Sequence, residues 1–303
     1  KSKRKIFIKK INDLPEIQKK KIKKDINIIT KKKKFKNLHL KYTPNIMGIL
    51  NVTPDSFSDG GKYNQSKLAV THMKNLFKDG ADIVDIGGES TRPGSKSVSS
   101  KIEWDRIKKV LKKIDKSNVI SLDTRKSDIM EKGIKHGVKI INDISGLNYD
   151  RETINILKKY QTPFVLQHSL ANPETMQNNP KYKNVLLDIY DFFEEKIQLL
   201  RNHGINHNNI IIDPGIGFGK NLKHNITLIK NISIYHSLGL PILLGMSRKK
   251  FIKDLSGSND SILRTGGTIG SCIFAMMQGV QLLRVHDVNE INQSLKIFKE
   301  FIK

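Results

Sequence analysis

The chain has 303 residues, enough for one large domain, and its 37% of hydrophobic residues can form a substantial core. No apolar run reaches the ~18–20 residues of a membrane-spanning helix, and no apolar stretch follows the charged start as in a secretion signal. Cys272 is the one cysteine, which excludes an internal disulfide, so we expect a cytoplasmic protein with no membrane partner.

The formal net charge of +25 raises the question of a nucleic-acid partner. The excess is concentrated at the start of the chain, where residues 1–41 hold 17 Lys or Arg against 3 Asp or Glu. No nucleic-acid-binding motif accompanies this charge, and only 7% of the residues are aromatic. We therefore interpret the charge as a solvated surface and do not expect nucleic acid as a partner.

Residues 1–43 form a Lys-rich zone that we predict to be an N-terminal extension or linker. Its helical periodicity is weak, and its runs of lysine at 19–21 and 31–34 repel one another. A short strand at 5–9 is one alternative, and docking on the base of the following domain is another.

Residues 44–303 alternate short apolar runs with longer amphipathic stretches. The runs that we predict as strands are 46–50, 82–86, 119–122, 138–141, 163–167, 210–213, 241–245 and 280–285. The predicted helices are 66–79, 101–115, 126–136, 151–160, 184–203, 222–234, 262–278 and 287–302. Eight strand–helix units predict an α/β fold of the parallel (β/α)8, or TIM barrel, type, with a doubly wound open sheet as the alternative.

Polar residues follow nearly every predicted strand. These positions are Asn51, Gly87 to Glu89, Asp123, Asn142, Gln167 with His168, Asp213, Ser247 to Lys249, and Arg284 with His286. In a barrel, the carboxyl ends of the strands meet at the face that holds the active site. The pattern therefore predicts one cup that binds a polar ligand.

Two glycine- and proline-containing loops could close over such a ligand. The first is NVTPDSFSDGGKY (51–63), in which Asn51 can offer a carbonyl oxygen to Mg²⁺. The second is GGESTRPGS (87–95), in which Arg92 could bind an anion while Glu89 either orients the loop or takes part in chemistry.

The remaining candidates divide between a flat heterocycle and a phosphate. Two carboxylates and an amide, on Asp123, Asn142 and Asp213, suit the N–H edge of a 2-aminopterin, although each could instead cap a helix. The motifs SRKKF (247–251) and RVHD (284–287) follow strands seven and eight, the usual phosphate site of such barrels. The motif DPGIGFGK (213–220) departs from a nucleotide-binding P-loop in its spacing, so we interpret it as a pocket-lining loop.

Eight motifs in chain order resemble the dihydropteroate synthase family. They are MGILNVTPDSFSDGG (47–61), IGGESTRPG (86–94), SLDT (121–124), INDISGL (141–147), NPETMQ (172–177), DPGIGFGK (213–220), GMSRK (245–249) and RVHDV (284–288). The resemblance covers about residues 45–303. It implies a transferase of folate biosynthesis that joins p-aminobenzoate to 6-hydroxymethyl-7,8-dihydropterin pyrophosphate, giving 7,8-dihydropteroate and pyrophosphate.

The resemblance also assigns roles to residues of this chain and implies Mg²⁺ as cofactor and a homodimer as the assembly. The pterin would be bound by Asp123, Asn142, Asp213, Lys249 and Arg284. Pyrophosphate would be bound by Asn51, Arg284 and His286, with Mg²⁺ on Asn51. The residues bordering p-aminobenzoate would be Thr91, Arg92, Pro93, Phe218 and Ser247, with Asp55 and Phe57 on the first mobile loop. Catalysis would fall to Asp55, Asp123, Lys249, Arg284 and His286.

One stretch departs from the family pattern, which has Met-His-Met after the fifth strand. This chain has Gln167-His168-Ser169, so Gln167 replaces a methionine that packs on the pterin in the family. Two alternative functions remain open. A corrinoid-dependent methyltransferase would share the pterin-binding residues but not the phosphate motifs, and a basic nucleic-acid-binding protein or non-catalytic paralogue would show no turnover.

Overall fold

The computed structural model describes residues 13–30, 35–36, 38, 43–53, 62–90, 95, 97–170 and 180–302. The strand suggested at 5–9 and five predicted site residues lie outside the described residues. Those five are Asp55, Phe57, Thr91, Arg92 and Pro93.

Eight parallel strands form one sheet that curls into a barrel. They are β1 Asn45–Asn51, β2 Ile83–Gly87, β3 Ile120–Asp123, β4 Ile140–Asp143, β5 Phe164–Gln167, β6 Ile210–Asp213, β7 Leu243–Leu244 and β8 Leu282–Val285. Neighbouring strands follow the order β6-β5-β4-β3-β2-β1-β8-β7, and a parallel bridge between Ile212 and Ile242 closes the ring. The predicted barrel is confirmed, and the open-sheet alternative is excluded.

Helices surround the sheet. They are α1 Glu16–Thr30, α2 Lys62–Lys78, α3 Ser100–Leu111, α4 Ser127–Lys135, α5 Thr153–Tyr160, α6 Val185–Asn202, α7 Leu222–Lys230, α8 Lys250–Ser256, α9 Thr265–Met277 and α10 Val288–Phe301. Short 3-10 helices occupy His207–Asn209, Ile232–Leu238 and Ile262–Arg264. Throughout the described ranges, no helix combines the length and the apolar character needed to cross a bilayer.

Two apolar clusters stabilise the barrel. The larger cluster lies between the sheet and the surrounding helices and explains why the strands are apolar on both faces. The smaller cluster fills the inside of the barrel with side chains from most of the strands and from Leu38: Leu38, Met47, Ile83, Ile140, Val165, Ile211, Leu243 and Leu282. The barrel is thus a packed core below its carboxyl-terminal face, and a residue that precedes β1 completes it.

The helix predictions differ from the structure in three places. Residues 16–30 form α1, although the sequence showed weak helical periodicity, because helix-favouring Glu, Gln and Lys follow Pro15 and the helix packs beside the 3-10 helix at 232–238. The predicted helix at 222–234 ends at Asn231 and continues as that 3-10 helix. The short α8 was not predicted, and it separates β7 from α9.

Candidate active site

The register of the strands brings the predicted polar residues to one end of the barrel. Asn51 pairs with Gly87, Gly87 with Asp123, and Asp123 with Asn142, so this row crosses β1 to β4 at one level. Gln167 pairs with Asp213 across β5 and β6. Paired residues of parallel strands face the same side of the sheet, so these side chains surround one pocket inside the barrel.

Asp85 organises the floor of this pocket. Its Oδ2 accepts hydrogen bonds from Arg284 Nε at 2.7 Å and from Asn142 Nδ2 at 3.0 Å. Arg284 Nη2 donates to Asp123 Oδ2 at 2.8 Å, so one guanidinium joins two buried carboxylates. Sequence reasoning treated Asp85 as part of an apolar strand and missed it. A carboxylate at an inward position of an otherwise apolar strand was the available signal.

Burial opposes charge on this floor. The pKa of Asp123 is raised to about 8: removal from water is the largest cause, Arg284 opposes the rise, and the nearby Asp85 adds to it. Burial likewise raises the pKa of Asp213. The pKa of Lys249 is lowered to about 7 by burial, with Arg284 adding to the effect and Asp213 opposing it. Asp123 and Lys249 therefore have pKa values close to neutral pH.

Several buried polar atoms on the floor have no hydrogen-bond partner among the described residues. They include the Oδ1 atoms of Asp85, Asp123 and Asn142, and Nε2 of Gln167. A buried polar atom without a partner costs about 1–3 kcal/mol. Three oxygens awaiting donors therefore favour a ligand that carries several N–H groups.

Lys249 reaches the pocket beside the loop after β6. Its Nζ donates to the carbonyl oxygen of Ile216 and lies 4.1 Å from the centre of the Phe218 ring. Gly217 adopts a φ of +82°, and a Cβ there would come within 2.9 Å of Lys249 Cδ. The glycine is therefore required twice, for its backbone conformation and for the passage of the lysine. The predicted lining role of this loop agrees with the contact between Phe218 and Lys249.

His168 supports the wall of the pocket. Its Nδ1 lies 3.0 Å from Nζ of buried Lys220, and Phe192 packs edge-on against its ring at 4.8 Å. Burial, together with the charge of Lys220, lowers the pKa of His168 to about 2. Burial also lowers the pKa of Lys220 well below its usual value. Of the two roles considered for His168, lining and support, the geometry favours support.

The ends of β7 and β8 are joined by Ser247 and His286. Ser247 Oγ lies 3.2 Å from the backbone nitrogen and 3.0 Å from Nδ1 of His286. Arg248 has a left-handed φ of 59°, and its Nε donates to Asp287 at 3.1 Å. Of the two cations in the SRKKF motif, Arg248 is thus held by Asp287, while Lys249 lies in the pocket.

A buried ion network fixes the loop after β2. Glu89 accepts from the backbone of Val98 at 2.8 Å and from Arg125 Nε at 3.1 Å. Lys126 bridges Glu89 at 3.1 Å and Glu103 at 2.6 Å. Arginine and backbone bonds lower the pKa of Glu89 although burial, the largest influence, raises it. The contacts favour loop orientation over chemistry for Glu89.

The chain was compared with known proteins. The model of the family "Pterin binding enzyme" matches residues 47–286. A dihydropteroate synthase of Neisseria meningitidis serogroup C is 41% identical over 260 residues, which are 84% of this chain and 92% of the relative. The dihydropteroate synthase of Escherichia coli K12 is 41% identical over 256 residues, 84% of this chain and 90% of that protein.

Solved structures give the same result. The Yersinia pestis dihydropteroate synthase with a sulfonamide drug complex has a TM-score of 0.82 and 38% identity, covering 89% of this chain and 98% of that one. The Xanthomonas albilineans enzyme in complex with 7,8-dihydropteroate has a TM-score of 0.78 and 32% identity, covering 87% and 95%. The chain belongs to the pterin-binding enzymes and, within them, to the dihydropteroate synthase family.

Proposed function

We propose that the chain transfers a dihydropterinylmethyl group from 6-hydroxymethyl-7,8-dihydropterin pyrophosphate to the amine of p-aminobenzoate, forming 7,8-dihydropteroate in folate biosynthesis. One observation carries this proposal: buried oxygen acceptors with no hydrogen-bond partner among the described residues lie on the pocket floor, beside the half-buried side chains of Lys249 and Arg284. That floor suits the donors and acceptors of a pterin ring. The relatives at about 40% identity support the same reaction.

Asp123, Asn142 and Asp213 would accept hydrogen bonds from the N–H groups of the ring. Lys249 would donate to a ring acceptor. Arg284 uses Nε and Nη2 on carboxylates, so it would stack its plane on the ring and reach phosphate with Nη1. The bonds that the protein lacks on the floor would then be supplied by the substrate.

In the reaction, the amine nitrogen of p-aminobenzoate bonds to the exocyclic methylene carbon while the bond from that carbon to the pyrophosphate oxygen breaks. Pyrophosphate leaves with the bonding electron pair, and the amine loses its proton. As the carbon–oxygen bond loosens, positive charge on the pterin would be stabilised by Asp123, and negative charge on the leaving group by Arg284 and His286. His286 is oriented for this role by Ser247.

We propose that Asn51 contributes one ligand to Mg²⁺. Its Oδ1 and Asp123 Oδ2 both lie beside Gly87, at 3.6 and 3.7 Å from the point where a Cβ would stand. The described residues contain no cluster of three His, Cys, Asp or Glu suited to a metal. An amide oxygen with phosphate oxygens and waters fits Mg²⁺, which, when bound, would neutralise charge on the pyrophosphate.

The residues of the two loop motifs, together with Phe218 and Ser247, would complete the site. Asp55 and Phe57 would close over the bound substrates, and Thr91, Arg92 and Pro93 would border p-aminobenzoate. Phe218, which contacts Lys249, and Ser247, which contacts His286, would also border p-aminobenzoate. Exclusion of water would prevent hydrolysis of the activated pterin.

A pyrophosphate-release assay with and without p-aminobenzoate tests the function. The wild type should release pyrophosphate only when both substrates are present, whereas Asp123→Ala and Lys249→Ala should each lose about 10²–10³-fold in kcat. Lys132→Ala, which removes an exposed lysine of α4, is the matched control and should keep full activity. Full activity in both site variants would contradict the site, and methyl transfer without pyrophosphate release would favour the methyltransferase alternative.

We further propose a cytoplasmic homodimer. The single cysteine, Cys272, is buried and needs no oxidising compartment. Exposed apolar side chains on the neighbouring helices α9 and α10 support pairing with a second copy: Phe274, Met277, Ile297 and Phe301. Sedimentation analysis of the wild type against Met277→Lys tests this, since the charge should produce a monomer.

A further inference from the structure

Gln167 occupies a distinctive place in the pocket. It is the last residue of β5, between Asn142 on β4 and Asp213 on β6, and its side chain is 3% exposed. Its Cγ lies 3.4 Å from the point where a Cβ of Gly215 would stand, so the side chain runs along the wall formed by the loop after β6. The carboxamide is therefore held at the level of the pterin-binding carboxylates.

The carboxamide nitrogen also lacks a partner. Among the described residues Nε2 has no hydrogen-bond partner, although its neighbours on the floor offer acceptor oxygens of their own. A long polar side chain sealed from water without partners is costly, and an apolar residue of equal length would avoid that cost. A ligand that accepts a hydrogen bond from this group would remove that free-energy cost.

The charges around the pocket indicate which kind of bond is missing. Oδ1 of Asp123 and Oδ1 of Asn142 have no partner among the described residues, so both would accept from N–H groups of a ring, and Asp213 adds a third buried acid. The cationic donors Lys249 and Arg284 come from β7 and β8, two and three strands away from β5. An acceptor atom of the ring that lay at β5 would therefore meet Nε2 of Gln167.

We propose that Gln167 donates a hydrogen bond from Nε2 to an acceptor atom of the bound pterin ring, a ring nitrogen or the carbonyl oxygen, and so determines pterin affinity in this chain. This inference rests on the proposed function. The bond adds polar recognition at a point where a purely apolar side chain would give packing alone.

The test compares Gln167→Met, which keeps the length but lacks a donor, with Gln167→Glu, which accepts only and adds charge beside Asp213. Binding of 6-hydroxymethyl-7,8-dihydropterin is measured by calorimetry, and KM for p-aminobenzoate by turnover. We expect Gln167→Met to weaken pterin binding about 10-fold, Gln167→Glu to weaken it more, and KM for p-aminobenzoate to stay unchanged. Equal or tighter binding by Gln167→Met overturns the inference.

A spectroscopic readout separates hydrogen bonding from packing. The side-chain amide protons of Gln167, assigned by their disappearance in Gln167→Met or in Gln167→Glu, should shift downfield when the pterin binds, whereas unshifted protons would contradict the bond. Should Gln167→Met fail to fold, the shift in the wild type and the affinity of Gln167→Asn, which draws the amide back by one methylene, decide the question. A wild type that neither binds pterin nor turns over contradicts the proposed function instead.

Discussion

A single carboxylate, Asp85, links the two halves of the candidate site. It accepts from Arg284 and Asn142, so it orients one cation and one amide that the substrate would contact. These bonds are buried, and loss of one partner from a buried ion pair costs about 3–5 kcal/mol. The residue that sequence reasoning missed is therefore expected to matter as much as those it found.

Asp85→Asn keeps the shape of the side chain and removes its charge. We expect about 3 kcal/mol less stability in urea unfolding and a marked loss of kcat, because Arg284 would lose a charged partner and turn toward Asp123. Asp128→Asn on the exposed surface of α4 is the control and should be nearly neutral. Wild-type activity in Asp85→Asn would contradict the positioning role.

The pH dependence of pterin binding follows from two opposed pKa shifts. Lys249, with a pKa near 7, is increasingly neutral as pH rises, while Asp123, with a pKa near 8, is increasingly protonated as pH falls. A ring acceptor binds the protonated Lys249 best, and a ring donor binds the ionised Asp123 best. The affinity for the pterin should therefore fall at pH values above and below the interval between these two pKa values. In calorimetry with 6-hydroxymethyl-7,8-dihydropterin, Lys249→Arg should lose the alkaline fall and Asp123→Asn the acid fall. Unaltered profiles in both variants would contradict these assignments.

Most of the site residues were predicted from their position directly after a strand. Asp123, Asn142 and Asp213 follow this rule and meet in one pocket. Asp85 does not follow it, because it lies within β2. The orientation of Arg248 depends on a left-handed backbone and an ion pair with Asp287, neither of which is visible in the order of residues.

Among the elements, the loop after β2 shows how a motif is held in place. Glu89 binds the backbone of Val98 on the far side of the loop and two cations, Arg125 and Lys126, from the start of the β3 loop. These contacts fix both ends of the segment that contains the proposed p-aminobenzoate border. The network positions the loop, since its residues contact the loop while other residues form the pterin floor.

Glu89→Gln should therefore raise KM for p-aminobenzoate by about 10-fold and leave the Kd for the pterin unchanged, on the basis that one buried charged hydrogen bond contributes about 1.5–3 kcal/mol. Steady-state kinetics and calorimetry measure the two constants. The control is Glu131→Gln, since the half-buried Glu131 binds Lys159 and Lys135 away from the loop. A rise in the pterin Kd alone would assign Glu89 to the floor instead.

Periodicity predicted all eight strands because each is a short apolar run that packs on both sides. Periodicity did not predict two helices, α1 and α8. The helix α1 has a lysine-rich sequence and packs beside residues 232–238, a contact between segments 200 positions apart that no local pattern reveals. The short α8 falls in a connection between two strands and lacks a long amphipathic repeat.

For the molecule as a whole, Leu38 connects the region before β1 with the interior of the barrel. It is buried in the same cluster as Met47, Ile83 and Leu282. This apolar cluster lies directly below the polar pocket inside the barrel. The domain boundary predicted at residue 44 thus separates two parts that pack together.

Leu38→Ala should cost about 2–5 kcal/mol by opening a cavity inside the barrel, and should lower Tm by several degrees. Activity measured well below that temperature should be preserved, since the floor of the pocket is formed by other residues. Ile17→Ala on the exposed face of α1, where Ile17 is 84% exposed, is the control. An unchanged Tm for Leu38→Ala would contradict the packing role.

The pairing of Arg284 with Asp85 also sets an order of events during synthesis on the ribosome. The two residues are 199 positions apart, so the acid is made long before the base that neutralises it. A nascent chain that stops short of β8 carries its acids without their counter-ion and leaves β1 unpaired on one side. The complete floor of the pocket, in which Arg284 joins Asp85 and Asp123, therefore forms only when the last strand docks.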